Sequence, residues 1–292
     1  MYISNIIGGL GNQMFQYAVC RALSIQKGGD FRLDIQGYRN YQLHNGYELN
    51  RVFGISDKFS TAKELRKVLG WQSQSFARRL LLKNRFSKFR GSNYIVEPQV
   101  NYWSGINELS NNAYLVGYWM SEKYFLGAEQ QIRQDFTFNH PMSSENSIVA
   151  SEILNSNAVG LHVRRGDIAS NPATLAIHGL CGLEYYKKAI EEIASKVDKP
   201  HFYIFSDDML WTKQHLAINY PCEYIEHNQG KESFNDMRLM SLCKHNIIAN
   251  STFSWWGAWL NNNKNKLVIA PSRWFLADIN ASDIAPPSWF RV

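Results

Sequence analysis

From Ala158 to Pro271, short apolar runs alternate with stretches of helical length, and few folds accommodate that rhythm. AVGLHV (158–163), HFYIF (201–205), EYIEH (223–227), NIIA (246–249) and LVIAP (267–271) read as strands. Between them GLEYYKKAIEEIASKV (182–197), MLWTKQHL (209–216), SFNDMRLMSLCKH (233–245) and TFSWWGAWLNN (252–262) read as helices. Strands separated by helices of this length predict a parallel sheet wrapped by helices. The first half repeats the pattern more sparsely: YISNIIG (2–8), a helix through about Lys27, FRLDI (31–35) and NAYLVGYW (112–119). HPMSSENS (140–147) reads as a joint between the halves. The expected architecture is two α/β units facing each other across a cleft, with ligands outside the carboxyl ends of the strands.

At 292 residues and 45% apolar content, the chain has material for two packed cores. Its nine Trp suit stacking on sugars or bases as well as ordinary packing. No window approaches the ~20 apolar residues of a membrane span. The N-terminus lacks a basic, apolar leader, and four scattered cysteines fit a reducing compartment, so the sequence reads as cytoplasmic. The net charge of +6 is concentrated: residues 63–90 hold nine Lys or Arg and one acid, Glu64, a net of +8. Phe76, Leu80, Leu82, Phe86 and Phe89 give that stretch an apolar side at helical spacing. It reads either as a solvated helix with a core-facing stripe or as a peripheral contact with an anionic membrane. Basic residues and aromatics do not recur elsewhere as an interleaved patch, which argues against nucleic acid. No feature specifies an oligomeric state.

Four segments carry candidate chemistry. HVRRGD (162–167) ends a strand with two guanidiniums and a carboxylate. Arginine's planar fork suits phosphate, and successive side chains on a strand point opposite ways. If His162 and Arg164 share a face, Arg164 reaches a ligand while Arg165 pins Asp167 or the neighbouring loop; the alternative is a structural Arg–Asp pair. GGLGNQMFQYA (8–18) follows a strand and opens a helix, where backbone N–H groups can face an anion. It partly matches the dinucleotide fingerprint, with Asp34 placed for a ribose, so a nicotinamide-dependent oxidoreductase is the rival reading. Met14 stands where that fingerprint wants its third glycine. FSDD (205–208) ends another strand without the Asp-x-Asp spacing of a metal-held sugar nucleotide. In NIIANSTFSWWGAWL (246–260), Ser251 and Thr252 start a helix and either cap it or hold a phosphate. Asp236, one helix earlier, is either a carboxylate that reads a guanine edge or an exposed helix acid.

Together GGLGNQMFQYA, GYWMSEKYF (117–125), GLHVRRGD (160–167), YIFSDD (203–208) and NSTFSWWGAWL (250–260) resemble the α-1,2-fucosyltransferases, glycosyltransferase family eleven, in its bacterial members. The resemblance implies an α/β, GT-B-type fold with two Rossmann-like domains. Residues 1–143 would form the acceptor side and 144–292 the part that binds GDP-fucose. It implies an inverting, metal-independent transfer of L-fucose to the 2-hydroxyl of a galactose residue in a glycan such as an O-antigen; another GDP-sugar is the alternative donor. By motif, Arg164 would hold the β-phosphate of the leaving GDP, with His162 in the nucleotide pocket and Gly9, Gly11 and Asn12 facing diphosphate or fucose. Asp236, Ser251 and Thr252 would contact guanine and phosphate, and Arg165, Ser206 and Asp207 complete the donor set. Asp167 is the candidate that removes the acceptor's proton, with His44, Glu48 and His178 as outside candidates.

Overall fold

Each half of the chain builds a sheet whose strands all run parallel. A computed structural model describes residues 1–40, 44–55 and 58–292, apart from the side chains of Asn40 and Asp167. It divides into two compact units, Met1–Asn139 and His140–Val292.

The first unit contains β1 (Tyr2–Asn5), β2 (Phe31–Asp34), β3 (Tyr94–Val96) and β4 (Ala113–Val116), in the order β2-β1-β4-β3. Its helices are α1 (Leu10–Lys27), α2 (Leu49–Phe53), α3 (Ala62–Leu69), α4 (Ser75–Leu82) and α5 (Glu129–Asp135). The strand expected over 2–8 stops at Asn5, because the chain turns through Gly8 in the left-handed region (φ +81°). The strand expected over 112–119 likewise shortens to β4, and Trp119 lies at φ +57°. The basic stretch is not one helix. Gly70, at φ +59°, ends α3, and short 3-10 turns over 70–73 and 84–89 flank α4.

The second unit contains β5 (Asn157–Val163), β6 (Pro200–Ser206), β7 (Cys222–Ile225), β8 (His245–Ile247), β9 (Val268–Ala270) and β10 (Phe290–Arg291). Helix α6 (Ser144–Leu154) precedes them; α7 (Gly166–Ser170), α8 (Pro172–His178) and α9 (Leu183–Ala194) follow β5. Helices α10 (Met209–His215), α11 (Phe234–Leu242) and α12 (Thr252–Leu260) follow β6, β7 and β8. The sheet order β10-β9-β8-β5-β6-β7 is the doubly wound Rossmann arrangement. Strand order reverses at β5, between β6 and β8, and the crevice above that point is where such sheets take ligands.

Alternation along β5 sorts its side chains. Val159, Leu161 and Val163 are fully buried against Tyr186, Ala189, Ile190 and Ile193 of α9. Ala158 packs on the opposite face, with Val149 and Ile153 of α6 and Leu239 and Met240 of α11. Each large apolar side chain buried this way contributes about 1.5–3 kcal/mol. Buried on both faces, the strand reads in sequence as a nearly unbroken apolar run.

The first unit holds a buried ion pair. Arg78 of α4 meets Asp34 at the end of β2, and Tyr114 of β4 donates to the same carboxylate at 2.7 Å. Arg78→Ala would leave that carboxylate buried without its cation, so it is expected to lower stability by about 3–5 kcal/mol in urea unfolding. An unchanged midpoint would show that the pair holds nothing together.

Candidate active site

At the carboxyl edge of the second sheet, register does most of the positioning. Val163 of β5 pairs with Ser206 of β6, so the next residues on each strand come side by side. Arg164 Nη1 lies 2.8 Å from Asp207 Oδ2. The backbone N–H of Arg165 donates to Asp207 Oδ1 at 2.8 Å. Gly166 closes this corner: a Cβ there would stand 2.4 Å from Asp207 Oδ2. Arg165 turns the other way. Its Nε lies 3.4 Å from Asp208 Oδ2, and its guanidinium sits 3.6 Å from the centroid of the Trp211 ring in α10. The expectation that Arg165 pins Asp167 or the neighbouring loop is met on the side of the neighbouring loop, through Asp208 and Trp211 after β6. Asp167 is part of α7, and its side chain lies outside the described ones.

Ser206 is spent locally. Its hydroxyl accepts from the N–H of Asp208 and from Thr212, each at 3.0 Å, and so fixes the turn from β6 into α10. Asp208 caps that helix through Trp211 N.

His162 points away from α9, its ring centroid 5.7 Å from that of Phe253 in α12. Burial, with Arg164 nearby, pushes its pKa down to about 3, so the imidazole is neutral. Its buried Nδ1 has no hydrogen-bond partner among the described residues. Phe253 belongs to the first turn of α12, which starts where β8 ends. Ser251, the N-cap residue, opens the helix with no side-chain capping hydrogen bond. The reading of Ser251 as an ordinary cap is thereby set aside, and the positive end of the helix dipole lies beside His162. This helix is held rigidly: Trp255 and Trp256 are fully buried, and Trp255 Nε1 donates to Ile284 O at 2.8 Å. Those Trp are packing residues, not sugar platforms. Asn250 is structural as well, its amide donating to the carbonyls of His178 and Trp274.

Asp236 lies in the first turn of α11, which follows β7 and therefore begins at the same sheet edge. It accepts from Asn228 Nδ2 at 2.9 Å, and Asn228 exchanges hydrogen bonds with Asn146 of α6. Burial pushes this carboxyl up to about 7, opposed by the Asn228 bond. The sequence singled out Asp236 but not Asn228 or Asn146, whose partners stand far apart along the chain.

In the first unit, Gly9 caps α1 without a side chain, and Gly11 and Asn12 occupy its first turn. The motif's glutamines explain its rigidity. Fully buried Gln13 donates to the carbonyls of Gly8 and Gly46 and accepts from Glu48 N. Gln16 joins Ile7 N, beyond β1, to Gly117 O, beyond β4, across the point where this sheet's order reverses. Asp34 is no ribose ligand: Arg78, Tyr114 and the Gln36 N–H occupy it inside the unit, which overturns the nicotinamide reading. Glu48 is buried and paired with Arg51; His44 is exposed; His178 lies against Phe275. One carboxylate escaped the sequence reading. Glu97, just past β3, accepts from Tyr118 N at 2.6 Å and Trp119 N at 2.9 Å, and burial pushes it up to about 7. No cluster of three or more His, Cys, Asp or Glu able to hold a metal occurs among the described residues.

Residues 2–292 match the family model described as Glycosyl transferase family 11. The chain is 35% identical to an alpha-1,2-colitosyltransferase of Escherichia coli, over 99% of this chain and 98% of that protein. It is 32% identical to the O-antigen biosynthesis glycosyltransferase WbnK of Escherichia coli, over 99% of each. Among solved structures it is similar to the fucosyltransferase NodZ from Bradyrhizobium, with a TM-score of 0.54, 13% identity and coverage of 88% and 91%. That likeness concerns the fold, the α/β GT-B type built from two Rossmann-like parts. The chain belongs to glycosyltransferase family 11 and is a glycosyltransferase.

If Asp207 aims Arg164, crowding Asp207 should be felt in turnover. Gly166→Ala is expected to cut glycosyl transfer on the order of 10–100-fold with little change in the unfolding midpoint. Normal turnover in that variant would show that the aim of Arg164 does not matter.

Proposed function

We propose that this glycosyltransferase moves L-fucose from GDP-fucose to the 2-hydroxyl of a galactose residue, with inversion and without a metal. The observation that carries the reading is Arg164 at the reversal point of the second sheet, paired to Asp207, on the strand whose His162 meets the first turn of α12. Breaking the anomeric C–O bond leaves negative charge on GDP and positive charge on the sugar ring. A guanidinium and a helix N-terminus already fixed in place answer the first of these most strongly in the transition state. Neutral His162, its ring against Phe253, forms the wall of the nucleotide pocket between β5 and α12. Asp236 accepts from N1–H and the 2-amino group of guanine, while Gly9, Gly11 and Asn12 serve the sugar side. Asp167 takes the acceptor's proton. Glu97 is the second choice, favoured by a carboxyl that titrates near neutrality at a sheet's carboxyl edge.

The E. coli relative named as a colitosyltransferase supports a second donor, GDP-colitose, with the same phosphate chemistry and the same α-1,2 linkage. Colitose lacks the 3-hydroxyl of fucose, so competition between the two GDP-sugars for one β-galactoside distinguishes the readings.

Two outcomes are expected. Arg164→Ala should lower transfer at least 100-fold, about 3 kcal/mol, with the fold intact, and wild-type turnover should persist in excess EDTA. Near-normal turnover in the variant, or manganese-dependent recovery of the wild type, would contradict the charge argument. The second concerns pH. Only the ionised form of Asp236 accepts both guanine protons, and its carboxyl sits at about 7 in the unliganded protein. Affinity for GDP-fucose, whose phosphates do not titrate in this range, should fall about tenfold per unit below pH 7 and level off above it. Asp236→Asn should flatten that profile in calorimetric titrations; a wild-type affinity constant from pH 5.5 to 8.5 would refute the guanine contact.

A further inference from the structure

The basic stretch can be a core-facing stripe or an outward surface, and the structure separates the two. Leu65, Val68, Leu69 and Leu81 face the core, packed with Ile3, Tyr94 and Tyr114. Arg78 also turns inward, to Asp34. Residues left outside include Trp71 at 65% exposure, Phe76 at 76%, Phe89 at 66% and Leu82 at 44%. Trp71, Phe76, Leu80, Phe86 and Phe89 line one groove of about 560 Å³ in which Gln74 is the polar member. Exposed Arg79, Lys83, Arg85 and Lys88 interleave with these apolar side chains, and the Arg85 guanidinium lies 4.7 Å from the Phe86 ring centroid.

We propose that this face, residues 71–89 of the first unit, docks on an anionic phospholipid surface, its aromatics entering the interface and its basic side chains holding the headgroups. Charge decides the occupant. A second copy of the chain would bring like charges together, whereas an anionic leaflet satisfies the cations and admits the aromatics at once. Aromatic side chains favour that boundary because their rings sit at the depth of the headgroups. Nucleic acid would meet the same cations, but the groove that the aromatics line carries a single amide for reading a base. Basic residues and aromatics do not recur elsewhere in the sequence as an interleaved patch to extend the track. Among the described residues no helix is long and apolar enough to cross a membrane. The inference does not depend on which sugar is transferred.

Flotation of the full chain with vesicles tests it, using phosphatidylcholine alone or with a one-third share of phosphatidylglycerol. Retention is expected on the anionic vesicles only. Phe76→Ser with Phe89→Ser, and separately Lys83→Glu with Arg85→Glu, should each reduce the bound fraction about tenfold or more. Both pairs should keep the wild-type unfolding midpoint and wild-type transfer to a water-soluble acceptor. Equal retention of the variants, equal retention on neutral vesicles, or retention on RNA or a polyglutamate peptide but not on vesicles would overturn the proposal.

Discussion

The carboxylate of Asp207 determines what the end of β5 can present. Two adjacent guanidiniums at a strand end repel each other, and an all-parallel sheet leaves them beside whatever the neighbouring strand carries at the same height. Here that neighbour carries Asp207 and Asp208, one beside each arginine. Both pairs are partly exposed, so their contribution to stability is small. Their effect is directional. Asp207 ties down both the Arg164 guanidinium and the Arg165 backbone, and the missing side chain at Gly166 leaves room for it.

The remaining parts of the proposed donor site follow from sheet topology. Because β8 lies on the other side of β5, the helix that follows β8 begins beside His162. Its buried tryptophans fix that helix from behind, so its positive end needs no rearrangement to meet an anion. Asp236 arrives at the same edge by the same logic, one strand–helix unit earlier. The residues of the proposed donor site lie where strands end, and much of the sequence between those points serves packing.

Much of this was legible in the sequence because parallel strands buried on both faces declare themselves. Every strand read between 158 and 271 is present within a few residues, and the helices between them likewise. β3 and β10 escaped because two or three residues carry no periodic signal, and their pairing is decided by neighbours far along the chain. Asp34 looked like a ribose ligand because it ends the strand after a glycine turn; only the fold reveals Arg78, 44 residues later, occupying it. Partners were the least legible feature. The motif letters put Arg165 at a strand end, but its contact with Asp208 required the register of β5 on β6. Gln13 and Gln16 read as helix residues, and their role as buried ties between loops appears only when both ends of each amide are placed.

The central claim is that the reversal point at β5, through Arg164 and the start of α12, receives the diphosphate. Hydrogen–deuterium exchange with and without GDP, in chelator, addresses it without any substitution. Protection should concentrate in peptides covering 162–166 and 250–255, with a smaller effect at 228–236. Protection confined to residues 5–16, or appearing only when a divalent cation is added, would contradict the account.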